Sequence, residues 1–253
     1  MIWLHDPPAR GSWNMAIDEA LLHRAAEGAP PVLRFYEWEV PTLSLGYFQR
    51  YADRTQHPAS ADCAAVRRAT GGGAILHDRE LTYSCILPPK HPLGRRAAEL
   101  YNAIHTSIVA VLAEYGLNAN LLACGDQSPH ATGCGAPDHG AEPFLCFERR
   151  TPGDVLLYGW KIAGSAQRRQ RGAVLQHGSI LFERSPCAPE LPGIHDLTSI
   201  RLDRSDFARR LKNALSVHLG DNFAFEPPQS DLTDESVAIE ASKFAADHWL
   251  RLR

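Results

Sequence analysis

Apolar residues recur at helical spacing through Trp13, Ala16, Ile17, Ala20 and Leu21, and Gly28 with Pro30 and Pro31 ends the run. An amphipathic helix capped by Ser12 is predicted there. Short runs rich in strand formers follow: VLRFYEW (32–38), TLSLGYF (42–48), AAVRR (64–68), GAILH (73–77) and LTYSCIL (81–87). Leu100, Ile104, Ile108, Val111, Leu112 and Tyr115 mark a long helix closed by Gly116. Strands resume at NANLLA (118–123), FLCF (144–147), VLLYG (155–159) and AVLQHGSILF (173–182), and two helices follow, from about Ser205 to Leu219 and from Thr233 onward. Strands grouped together, with helices inserted between the groups, predict an α+β fold with a mixed, largely antiparallel β-sheet flanked by helices. One domain over 1–253 is expected, with a small helical part from about 187 and a loop from Gly125 to Pro143.

Composition narrows the function classes. With 253 residues, 44% hydrophobic and 22% charged, the chain has an ordinary globular make-up. A formal net charge of -3 without a long basic run gives no support for nucleic-acid binding. No apolar stretch reaches membrane-spanning length and the N-terminal stretch lacks a signal-peptide pattern, so a cytoplasmic, membrane-free protein is expected. Six scattered cysteines then read as free thiols. Cys124, His130, Cys134 and His139 supply zinc-type donors, but not as paired knuckles, and are read as loop residues with no metal site.

The stretch RRATGGGAILHD (67–78) breaks the strand pattern. Three consecutive glycines lose much backbone freedom on ordering, so a bare main chain is needed there. Arg67 and Arg68 are placed to add charge-assisted bonds to an anion. The alternative is a glycine-rich hairpin with solvated arginines. Lys161 precedes the small residues Ala163, Gly164, Ser165 and Ala166, which leave room beside its ammonium, although taken alone it reads as a solvated lysine at a strand end. Cys146, between Phe144 and Phe147, reads as a buried strand thiol unless a nearby cation favours its thiolate.

Together NMAIDEALL, PTLSLGYFQ, RRATGGGAILHD, KIAGSAQRR and QHGSILF resemble the biotin and lipoate protein ligase superfamily, in its lipoate–protein ligase A and protein octanoyltransferase branch. The resemblance implies the fold shared by class II aminoacyl-tRNA synthetases and biotin/lipoate ligases. It implies an acyl tunnel with Arg68, Gly71, Gly72, Gly73, Ala74, Ile75 and His77 on one side and Gly164, Ser165, Ala166, His177 and Gly178 on the other. Lys161 matches the family's active-site lysine. Cys146-Phe147 matches the nucleophile pair that one transferase type carries fifteen residues ahead of that lysine.

The resemblance implies transfer of an octanoyl group from acyl carrier protein to Cys146 and then to a lysine of a lipoyl domain, such as the glycine-cleavage H protein, with no cofactor. Gly-Ser-Ala-Gln after the lysine is transferase-like, and the absence of Gly-Asn after His77-Asp78 departs from the ligases. Gly71-Gly72-Gly73 departs the other way, since transferases often read Gly-Gly-Arg. The alternatives are an ATP- and Mg-dependent lipoate ligase working through lipoyl-AMP, and an inactive acyl- or partner-binding member of the fold. Cys187, in SPCAPELPGI, is the second candidate nucleophile.

Overall fold

The computed structural model describes residues 1–123, 143–220, 224–225 and 230–253. In chain order the elements are β1 (Ile2–His5), α1 (Gly11–Ala26), β2 (Val32–Tyr36), β3 (Thr42–Leu45), β4 (Ala64–Arg67), β5 (Ile75–His77), β6 (Glu80–Leu87), α2 (Ala97–Glu114), β7 (Ala119–Leu121), β8 (Val155–Leu157), β9 (Trp160–Gln170), β10 (Ala173–Leu181), α3 (Ile194–Leu197), α4 (Arg204–Leu219), β11 (Ala224–Phe225), α5 (Ser230–Ile239) and α6 (Asp247–Leu250). Among the described residues these strands form an eight-stranded sheet, β11-β1-β2-β6-β10-β9-β8-β7, and a three-stranded sheet, β4-β3-β5. In the large sheet only the β1–β11 and β1–β2 pairings are parallel. The α+β fold with a largely antiparallel sheet is as the sequence predicts.

Both faces of the large sheet are covered, which is why β6 and β10 are buried along their whole length. Val32 sits opposite Ile86 and Leu33 opposite Cys85. Val32 and Ile86 join Leu4, Ile17, Ala20 and Leu21 beneath α1, while Leu33 and Cys85 join Leu100, Ile104, Phe207 and Leu211 beneath α2 and α4. The period-2 alternation of the strands thus divides the apolar residues between two cores. Full burial of a large aliphatic or aromatic side chain contributes about 1.5–3 kcal/mol.

Helix α1 departs from the amphipathic reading. It begins at Gly11 with Arg10 at the cap position and no side-chain cap, and Ser12 instead donates to Glu240 at 2.5 Å. Its polar positions Asn14, Asp18 and Glu19 are buried as well. Glu19 pairs with Lys243 at 2.6 Å, while Asn14 and Asp18 face Arg34 of β2, a fully buried cation that donates to Asp6 at 2.6 Å, to Asp18 at 2.8 Å and to the Asn14 side-chain oxygen at 2.9 Å. Asp18 also accepts from Ser84 at 2.6 Å and lies 3.6 Å from His177. Burial alone raises the Asp18 carboxyl, but Arg34, His177 and Ser84 overcome it and hold the group below its ordinary range.

Two other expectations are corrected, and one strand is found that the pattern did not predict. FLCF is not a strand: Cys146–Glu148 form a 3-10 turn, tied to the glycine stretch by a single bridge between Ala74 and Leu145. The last helix does not run through, because α5 passes into a π-helical turn at Glu240–Phe244 and breaks before α6. Strand β1, too short to stand out by pattern, completes the parallel edge. Of the expected 125–143 loop only Pro143 is described, and Cys124, His130, Cys134 and His139 lie outside the described residues.

Because a depressed carboxylate adds stability above its unfolded pKa and loses it as pH falls through its folded value, the Asp18 contribution is complete above pH ~4 and fades below it. Arg34→Ala strands two buried carboxylates and is expected to cost about 3–5 kcal/mol. Denaturant melts from pH 3 to 8 check this: the variant loses less stability on acidification than the parent, so the gap between them narrows below pH ~4, and a constant gap contradicts the assignment.

Candidate active site

The segments 45–49 and 69–73 run main chain against main chain. Tyr47 N donates to Thr70 O at 2.8 Å, and a Cβ on Gly46 would fall 2.0 Å from Gly72 O. Gly72 itself has φ +92°, a left-handed conformation natural to glycine. A Cβ on Gly73 would lie 3.1 Å from Cys146 N, Phe144 O and Arg149 Nε. The bare backbone is therefore required twice, by the 45–49 segment on one side and by the cysteine turn on the other.

Arg67 and Arg68 hold this arrangement from inside. Arg67 is fully buried and donates to the carbonyls of Gly46, Tyr47, Gln49, Trp249 and Leu250 at 2.6–3.1 Å. Arg68 donates to Ser44 O at 2.8 Å, Gly71 O at 2.7 Å, Gly73 O at 2.6 Å and the Thr70 hydroxyl at 3.1 Å. Neither is the solvated arginine of the hairpin alternative, and both act as staples for the main chain. Burial pushes the Arg68 guanidinium down to about 10; the Cys146 sulfur opposes that shift and Arg149 adds to it. Arg68 thus remains a cation at neutral pH, electrostatically coupled to the thiol.

Lys161 enters from the start of β9. It is 6% exposed, and its ammonium donates to Asp154 at 2.8 Å, Arg149 O at 3.1 Å and Cys146 O at 3.2 Å. Those bonds fasten both ends of the Cys146–Arg149 turn. Gly164 makes the space, since a Cβ there would meet Lys161 Cε at 2.8 Å. The Cys146 main chain is fixed again from the opposite side, where Cys146 N donates to Ala74 O at 2.7 Å and Ala74 N to Phe144 O at 3.0 Å.

Cys146, half-buried, lines a cavity of about 280 Å³ with Arg68, Gly71, Gly72, Ile75, Phe147, Gly164, Ser165, Ala166 and Gln167. The structure therefore joins the glycine stretch, the cysteine and the lysine strand. Farther in, Arg68, Ile75 and Ala166 also border a small void with His77, His177 and Gly178. His177 bonds Thr70 at 2.7 Å, and His77 is stacked on Trp38 and bonded to Glu80 at 2.5 Å. Both imidazoles are structural anchors at the rear of the site.

The Ser165 hydroxyl is likewise turned inward. Burial pushes His105 down to about 4, so its neutral ring donates through Nδ1 to Gly153 O and accepts from Ser165 at 2.5 Å, while Tyr83 bonds the same hydroxyl. Gly178 is needed here too, because its Cβ would meet Gly164 O and the Ser165 hydroxyl at 2.6 Å. Cys187, the second candidate nucleophile, does not line the Cys146 cavity; it packs with Cys63 and Ala188 in the cluster under the small sheet.

Sequence reasoning missed Asp154, Gly46 and Thr70. Asp154 had a usable signal: a buried lysine needs a carboxylate, and PGDVLL supplies one seven residues earlier.

The glycine stretch of the small sheet and a cysteine turn held by a buried lysine of the large sheet thus meet at one cavity. The chain belongs to the lipoyl protein ligase A/B catalytic domain family, whose model matches residues 10–188. It is 38% identical over 187 residues to Octanoyltransferase LipM of Kyrpidia tusciae, covering 72% of this chain and 66% of that protein. It is 36% identical over 231 residues to Octanoyltransferase LipM of Macrococcus caseolyticus, covering 90% and 77%. Among solved structures it is similar to lipoate-protein ligase A bound with ATP (TM-score 0.76, 20% identity, 98% of this chain and 97% of that one). It is also similar to the bipartite lipoate protein ligase of Thermoplasma acidophilum (TM-score 0.71, 19% identity, 99% and 96%). At these identities the solved structures establish the common fold.

The glycine geometry ranks three substitutions. Gly46→Ala is expected to destabilise most, since main chain blocks its Cβ. Gly73→Ala follows at about 1–3 kcal/mol. Gly71→Ala comes last, because its Cβ meets only the exposed Phe48 ring at 3.7 Å. Equal denaturation midpoints for the three variants contradict the packing described.

Proposed function

We propose that the chain is an octanoyltransferase of protein lipoylation, moving an octanoyl group from acyl carrier protein onto Cys146 and then onto a lysine of a lipoyl domain, most simply the glycine-cleavage H protein. The observation that carries this reading is Cys146 itself: a half-buried thiol on a rigid turn, in a cavity walled by Gly71, Gly72 and Gly164 to Ala166. The transferase name borne by the relatives at 36–38% identity supports it.

In the first step the Cys146 sulfur attacks the donor thioester carbonyl, the carbon–sulfur bond to the carrier breaks, and the carrier thiolate takes up a proton. Arg68 supplies positive charge near the nucleophile, and the main-chain N–H groups of Gly72 and Gly73 serve the oxyanion. Lys161 holds the Cys146 turn in place through its carbonyl bonds. In the second step the neutral amine of the acceptor lysine attacks the acyl-enzyme, Cys146 leaves as thiolate, and an amide forms. Exchange of thioester for amide runs downhill, so this scheme calls on neither ATP nor a metal.

Incubation with octanoyl acyl carrier protein is expected to add one octanoyl mass to the chain, labile to hydroxylamine and absent from Cys146→Ser. The competing ligase reading, suggested by the triple glycine, instead gives pyrophosphate from ATP and lipoate, with Cys146→Ser fully active. That second result, or a labile adduct retained by Cys146→Ser, overturns the proposal.

A further inference from the structure

Cys63 and Cys187 are far apart in sequence and adjacent in space. Cys63 closes the irregular segment ahead of β4, and Cys187 sits in the turn after β10 bridged between Ser185 and Ala188. Both are half-buried and pack against the same apolar cluster, where the two thiols interact. A second link joins the same two segments: His57 bonds Glu190 at 2.8 Å and Ser60 at 2.8 Å. Arg54 then fastens the Cys63 carbonyl at 2.9 Å, and Cys187 N donates to Ser185 Oγ at 3.0 Å. The two segments are thus linked by a side-chain bond that does not involve the sulfurs, and each cysteine's main chain is fixed within its own segment.

We propose that Cys63 and Cys187 are a dithiol modification site, which a low-molecular-weight disulfide converts to an intramolecular disulfide. Burial, reinforced by the neighbouring Cys187, pushes the Cys63 thiol up to about 12, so Cys63 stays protonated until the second step and Cys187 is assigned the first attack. The Cys187 thiolate attacks one sulfur of the small disulfide and expels a small thiolate. The Cys63 sulfur then gives up its proton and attacks the Cys187 sulfur of the mixed disulfide, expelling the second. Two protein thiols are oxidised, one small disulfide is reduced to two thiols, and the two protons end on the leaving thiolates.

The site has a route to the catalytic turn. Cys63, Cys187 and Ala188 pack in one cluster with Ala74, Phe144 and Leu145, the residues that meet the glycine stretch and run directly into Cys146. A disulfide there ties the 57–63 and 185–190 segments together beneath that cluster. The inference is independent of the transfer chemistry and is tested without it.

The 253-residue chain carrying Cys146→Ser is equilibrated in mixtures of reduced and oxidised glutathione and mapped by peptide mass spectrometry without reduction. The expected result is loss of two hydrogens and a Cys63–Cys187 linked peptide in monomeric protein, reversed by dithiothreitol. The melting temperature is expected to rise by about 5 °C or more on oxidation. Adding Cys63→Ser or Cys187→Ser is expected to leave a single glutathione adduct on the remaining partner. Separate glutathione adducts on both cysteines, or linkage of either to Cys124 or Cys134, overturns the proposal.

Discussion

A lysine ammonium buried to 6% exposure sits beside the carboxylate of Asp154, and the geometry of the site depends on that pair. Removing two charges from water is expensive, and the attraction between them repays it only when the remaining donors are also satisfied. Here they are, by the carbonyls of Cys146 and Arg149. The desolvated charge thereby becomes a positional constraint: the ammonium keeps its acceptors only if the turn bearing Cys146 stays where it is. Strand β9 sets where the ammonium lies, and Gly164 gives it room.

A second buried charge system holds the opposite wall. Arg34 pairs with Asp6 and Asp18, and Asp18 reaches His177, whose other nitrogen bonds Thr70 between Arg68 and the glycines. Helix α1 therefore supplies more than an apolar face to the sheet. Its inward carboxylate connects β2 and β10 to the glycine stretch, so the polar residues that spoil its amphipathic pattern are the ones that locate the pocket's rear.

Much of this was legible in the sequence, and what was not has physical causes. The long helix at 97–114 and the strands β2, β6 and β10 follow from period and composition alone. The juxtaposition of Cys146 and Lys161 does not, because residues brought together across a 3-10 turn and a sheet leave no local period. It came from resemblance. FLCF was misread because an apolar run looks the same in a strand and in a buried turn. Arg67 and Arg68 stayed open between anion ligands and solvated side chains because a sequence does not say whether an arginine meets solvent, a ligand or carbonyls. Gly46 passed unnoticed for a similar reason: its partner, the carbonyl of Gly72, lies in another segment.

The two cations near the thiol are not equivalent. Lys161 has its charge balanced at 2.8 Å by Asp154, so toward Cys146 the pair acts as a dipole whose field falls off quickly. Arg68 is bonded to three carbonyls and a hydroxyl, none of which carries a formal charge. Its positive charge is therefore uncancelled by any of those partners, in a buried setting where screening by salt is weak. The division of labour follows: the lysine holds the cysteine main chain, and the arginine, fixed by the glycine carbonyls, brings an uncompensated positive charge to the wall of the cavity that Cys146 lines. The same glycine stretch that lets the backbone approach Cys146 also orients the charge that acts on it.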